Sequence, residues 1–240
     1  MPTEYFVLMV TAFFTSALSG AIGMGGGVTL FTVMAQYFPP LILIPVHGLV
    51  QLASNFSRAA LIYKSVSWRI VGLFLLGASL GALSGSRFIV EIPEQFFRIG
   101  IGLFILLLTF GPKPKSAPTF RGKWFWIGGV ATFLSLFVGP TGPLTAPFYL
   151  NENLAKKTLV ATKAACQVGT HLFKIAGYLM AGFVVAPYLP LLLGMFVATL
   201  AGSYAGTFLL GRVSEKLFRS LFKILIAILS LRMIGLGLFG

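Results

Sequence analysis

Eight long apolar stretches punctuate this chain, at 5–22, 41–63, 71–90, 96–110, 125–138, 154–183, 189–210 and 217–238. A hydrocarbon core of about 30 Å takes roughly 20 helical residues at 1.5 Å rise each, so a chain that repeats such runs is built to cross a bilayer many times. Composition agrees: 57% of the 240 residues are hydrophobic and 10% are charged, against roughly 25% charged in soluble domains. The first run starts behind Glu4 rather than a basic segment and is followed by equally apolar ones, so it reads as a span and not as a signal peptide.

A comparison of the chain with itself shows a repeat. At an offset of 116, Gly23 falls on Gly139, Gly26 on Gly142, Gln51 on Gln167, Asn55 on His171 and Arg58 on Lys174. After a short slip the offset becomes 121, and Gly81 meets Gly202, Gly85 meets Gly206, and Glu94 meets Glu215. Two halves result, 1–110 and 125–240, joined by a Pro- and Lys-rich linker at 111–124. The fold expected is an all-α integral membrane protein of two pseudo-symmetric halves with about five membrane segments each.

Loop charge indicates how the halves are related, because cytoplasmic loops collect Lys and Arg. The turn holding Lys64 and Arg69 is basic while its counterpart at 183–190 is uncharged; the neutral turn at Pro39 and Pro40 corresponds to a segment holding Lys156 and Lys157. That swap is the signature of inverted repeats. It requires the short stretches 26–38 and 142–151 to count as crossings; a parallel four-plus-four arrangement with these stretches re-entrant scatters the positive charge. In the inverted arrangement 11 of the 18 Lys and Arg residues, those of the linker included, lie on the cytoplasmic side of a prokaryotic plasma (inner) membrane, and both termini face outward.

Two segments cannot continue as helix. The run 20–27, with Gly23, Gly25, Gly26 and Gly27, costs about 1 kcal/mol per glycine relative to alanine, and Gly139-Pro140-Thr141-Gly142-Pro143 at the matching place lacks two backbone donors. Broken backbone at membrane depth survives where it is buried in protein or lines a wet cavity, and helix N-termini freed by such breaks attract anions. The helix after each break carries a polar stripe. His47, Gln51, Asn55 and Arg58, with Ser54 beside them, share the 4, 4, 3 spacing of Lys163, Gln167, His171 and Lys174, with Thr170 beside those.

All five acidic residues, Glu4, Glu91, Glu94, Glu152 and Glu215, fall at span ends, so the basic groups of the stripes have no carboxylate in reach along their own helices. A small bound anion would supply the counter-charge, with hydrogen bonds from Gln51, Gln167 and Asn55. The basic excess is thus explained by topology and an anionic cargo, not by nucleic acid. The candidate substrate site comprises the breaks (Gly23, Gly25, Gly26, Gly27, Gly139, Thr141, Gly142) and both stripes. Paired carboxylates, metal-ligand clusters and a nucleophile with a base are lacking, so no enzyme chemistry, metal or cofactor is expected. The single Cys166 allows no intrachain disulfide and reads as a small packing residue.

The glycine run 20–27, His47-Gly48 with Gln51 and Ser54-Asn55, and the two-fold repeat together resemble the TauE/SafE sulfite exporters, also described as the toluene sulfonate uptake permease family. The resemblance covers essentially the whole chain. It implies movement of sulfite, sulfonates or related sulfur anions, with no soluble cofactor. The second break departs from the glycine-rich form through Pro140, Thr141 and Pro143, so the specific cargo stays open. A secondary transporter, expected to be an exporter that alternately exposes a midplane site, is the function read here; a passive small-anion channel is the alternative. The partners expected are the anion and the lipid bilayer, and a homodimer is one assembly the sequence allows.

The charge distribution makes a direct prediction. A cysteine introduced by Ser116→Cys in a Cys166→Ala background resists an impermeant thiol reagent in intact cells and reacts after lysis; labelling in intact cells would contradict the orientation.

Overall fold

Glycine stops the helix at each of the two breaks of this chain, at Gly23 and at Gly139. In a computed structural model, which describes residues 3–23, 25–89, 93–112, 118–210 and 215–239, the described residues form ten α-helices, two short 3-10 turns and no strand. Met24, Glu91, Lys113, Lys115 and Arg212, and the side chains of Glu215, Lys216 and Arg219, lie outside what is described. The first half contributes α1 (Thr3–Ile22), α2 (Gly26–Met34), α3 (Pro40–Leu61), α4 (Trp68–Ser86) and α5 (Glu94–Phe110). The second contributes α6 (Lys123–Val138), α7 (Gly142–Leu150), α8 (Lys156–Met180), α9 (Leu189–Phe208) and α10 (Glu215–Phe239).

The two breaks are structurally equivalent. Gly23 ends α1 at φ 87° and Gly139 ends α6 at φ 77°, left-handed conformations that favour glycine at two positions related by the 116 offset. The helices that follow, α2 and α7, have 9 residues each. At 1.5 Å per residue each is about 14 Å long, so neither reaches across a hydrocarbon core of about 30 Å on its own. Length and apolarity together qualify four segments as spans: Thr3–Ile22, Pro40–Leu61, Trp68–Ser86 and Ala186–Phe208. The 25-residue α8 is long enough but carries four lysines, while α5 and α6 have 17 and 16 residues.

Helix neighbours exchange between the halves. α1 packs along α9 in the same direction, with Gly20, Gly202 and Gly206 at the contact; α4 packs along α6 in the same direction, through Gly77, Gly81, Gly128 and Gly129. α3 and α8 run antiparallel: Gly48 faces Lys174 and Ile175, while the Ser67 amide just beyond α3 donates to Thr162 Oγ1 near the start of α8 (2.9 Å). α5 and α10 are also antiparallel, with Gly102 against Ser230 and Ile234 and Gly237 against Gln95 and Ile99.

The distribution of polarity is that of a membrane protein. Large apolar side chains face outward along the helices, among them Leu76, Leu80, Leu83, Leu107, Leu193, Val197 and Phe208, whereas His47, Arg58, Gln167, His171 and Lys174 are buried. Lipid, not water, matches such an exterior. With hydrocarbon outside, close backbone approach through small residues supplies much of the helix association.

Gly81 shows how tight that approach is, since a Cβ there would lie 2.1 Å from the Gly129 carbonyl oxygen; at Gly202 it would lie 2.2 Å from the Phe13 carbonyl oxygen. Gly81→Leu and Gly202→Leu are therefore expected to lower thermal stability in detergent by about 1 to 3 kcal/mol or more. Gly100→Leu, at a position with nothing within 4 Å, serves as the control that leaves stability unchanged. A Gly81→Leu protein that melts with the wild type would contradict this packing.

Candidate functional site

Each stripe helix is tied to the first helix of its own half through an equivalent hydroxyl pair. Ser16 and Ser54 lie 2.7 Å apart and Thr132 and Thr170 lie 3.3 Å apart, both pairs related by the 116 offset. Ser203 Oγ adds a bond to the Ser54 carbonyl at 3.2 Å. These bonds fix the rotation of α3 and α8, and they leave the stripes turned toward each other.

Between them lies a cavity of about 60 Å³, lined by both breaks and both stripes. A single water needs roughly 10–15 Å³ of such space, so it holds a few waters or one small polyatomic ion. Gly23, Gly25, Gly27, His47, Gln51, Asn55, Arg58, Gly142, Lys163, Gln167 and His171 all line it. The other candidates from the sequence stand behind this wall. Gly26 packs against the Thr15 carbonyl, where a Cβ would come within 1.9 Å; Ser54 and Thr170 hold the helices as described; Gly139 packs on the Phe31 ring; Thr141 is buried beside the second break; and Lys174 reaches the Gly139 carbonyl. Pro140 and Pro143, the prolines of the second break, line the cavity too, as does Ser19, which was not singled out in the sequence. The repeat held a signal for the serine, because Ser19 and Ser135 are equivalent at the 116 offset.

The cationic groups are held by neutral oxygens. Lys163 Nζ donates to the Gly23 carbonyl (3.3 Å) and Lys174 Nζ to the Gly139 carbonyl (3.4 Å), so the two break glycines, equivalent in the repeat, each receive an ammonium from α8. Arg58 donates through Nη1 to Asn55 Oδ1 (3.1 Å) and through Nη2 to Ser54 Oγ (3.1 Å), while its Nε is buried without a partner. Asn55 Nδ2 donates to the Gln51 carbonyl (2.8 Å) and to Gln51 Oε1 (3.4 Å), so Asn55 orients its neighbours and has no amide hydrogen left over for the cavity. Gln167 Nε2 is a buried donor without a partner. The ion pairs seen among the described residues, Arg98 with Glu94 and Lys123 with Glu152, lie outside the cavity, and none of the described residues that line it carries a carboxylate.

The N-termini of α2 and α7 meet at this same space, with Gly25 and Gly27 on one side and Gly142 and Pro143 on the other. Their unsatisfied amides and positive dipole ends add to the donors of the stripes. The arrangement is complementary to a small negative ion with several acceptor oxygens, and it repels cations.

Residues 8–233 match the family described as sulfite exporter TauE/SafE. The chain belongs to that family. It is also 28% identical over 198 residues to the probable membrane transporter protein YtnM of Bacillus subtilis (strain 168), a match that covers 75% of this chain and 65% of that relative's length. No solved structure matches the chain. The family's description and the relative's name are both those of membrane transporters, and the chain spans about two thirds of that relative's length.

Proposed function

We propose that this chain is a secondary transporter that carries a sulfur oxyanion, sulfite or an organosulfonate, out of the cell across a prokaryotic inner membrane. One observation carries the reading: the breaks and stripes of both halves converge on one carboxylate-free cavity rich in donors. Family membership supplies the sulfur chemistry; the donor set supplies the preference for an anion.

The two halves, 1–110 and 125–240, act as inverted repeats about an axis in the membrane plane, with the linker 111–124 cytoplasmic; α2 and α7, too short to span the core alone, count as crossings only together with the segments that flank them. The antiparallel packing of α3 on α8 supports this, because an axis along the membrane normal would leave equivalent helices parallel. The shared cavity sits where one half rocks against the other, so alternating exposure needs only that the α1–α9 and α4–α6 contacts shift as bodies.

Purified protein in liposomes should show saturable flux and counterflow of sulfite and small sulfonates, and none of choline or sodium. Gln167→Ala and Gln51→Ala should each weaken apparent affinity by about 1 to 3 kcal/mol, roughly five- to 150-fold, if each removes a hydrogen bond to a charged ligand. Unchanged flux in both variants, in protein that inserts normally, would place the cargo elsewhere.

A further inference from the structure

His47 is a cavity residue whose hydrogen bonding is wrong for an anion as it stands. Its Nε2 lies 2.9 Å from the Gly27 carbonyl oxygen, which can only accept, so Nε2 carries the hydrogen. A neutral imidazole with that hydrogen on Nε2 presents a lone pair at Nδ1. His47 Nδ1 is buried and has no partner, and the side chain, 1% exposed, lines the cavity. A lone pair facing anionic oxygens repels them, whereas the same nitrogen with a proton forms a charge-assisted bond.

We propose, building on the anion reading above, that the anion occupies the cavity together with one proton held at His47 Nδ1. The proton comes from solvent, forms the Nδ1–H bond as the anion enters, and returns to solvent when the anion leaves, so transport couples one proton to each anion. The neighbours limit uptake to one. His171 packs edge-on at 6.2 Å between ring centroids with its own Nδ1 buried and unpartnered, and Lys174, Lys163 and Arg58 approach from α8 and α3. Among the described residues, α1, α2 and the α6–α7 break line the cavity with no titratable group, so the anion is what offsets a charge on the ring. Two imidazolium rings at this distance would repel each other as well as the lysines. The Gly27 carbonyl has a second part in this scheme: it fixes the tautomer, and it belongs to the first turn of α2, so protonation and the helix N-terminus act on one ligand.

The test is calorimetry of sulfite binding to the purified full chain, above the pH at which free sulfite is dianionic, in two buffers of different ionisation heat. The wild type should take up about one proton per sulfite bound. His47→Gln, which keeps a donor for the Gly27 carbonyl and lacks the Nδ1 position, should bind about tenfold or more weakly with no proton uptake. His47→Asn, which puts a permanent donor near the Nδ1 position, should bind sulfite without uptake and with a smaller loss of affinity, and His171→Gln should keep the uptake. Sulfite binding by the wild type with no proton, or undiminished uptake in His47→Gln, would overturn the proposal and leave the anion reading standing. No sulfite binding by the wild type would remove both.

Discussion

Positive charge enclosed by a hydrocarbon-facing shell is the constraint on which the rest of this structure depends. Lys174 is fully buried, and Arg58 and Lys163 are more than nine-tenths buried. Removing such groups from water costs several kcal/mol each, and a carboxylate partner would be the usual remedy. Here the interior around the cavity offers carbonyl, amide and hydroxyl oxygens instead. Neutral oxygens solvate a cation but do not neutralise it, so the field in the cavity stays positive and open to a mobile anion. An interior carboxylate at any of these positions would close the site by occupying it permanently.

The broken helices follow from the same constraint. A continuous α1 or α6 would hide its carbonyls in its own ladder; Gly23 and Gly139, at left-handed φ, turn theirs out to the lysines of α8. The breaks also start α2 and α7 at the cavity wall, so one backbone device supplies both the acceptors that hold the cations and the donors that face the cavity. The hydroxyl pairs Ser16–Ser54 and Thr132–Thr170 then set the rotation of the stripe helices, and the glycine contacts let α1 and α4 come close enough to enclose them.

Much of this was legible in the sequence because polar residues are scarce and their spacing is informative. The 4, 4, 3 stripes and the paired breaks could be read without coordinates, since each is local to one helix or one turn. The side of each residue that faces the cavity was not legible to the same degree. Ser54 and Thr170, read as site residues beside the stripes, serve the helix contact, and Asn55 spends both amide hydrogens on Gln51. Those outcomes depend on which neighbour arrives from the other half, and periodicity along one helix does not encode that. The end of α2 was also hidden, because apolar residues continue past Met34 into the turn that leads to α3, whereas α7 stops within one residue of the stretch read from the sequence.

The account stands on the convergence of the two halves at one cavity, which is proposed to hold the anion. The most direct measurement is a structure of the protein determined in the presence of sulfite. The account predicts oxyanion density between Gln51 and Gln167, within hydrogen-bonding distance of Gln167 Nε2 and bordered by the first turns of α2 and α7. An empty cavity, with the anion bound at a site outside these residues, would contradict it.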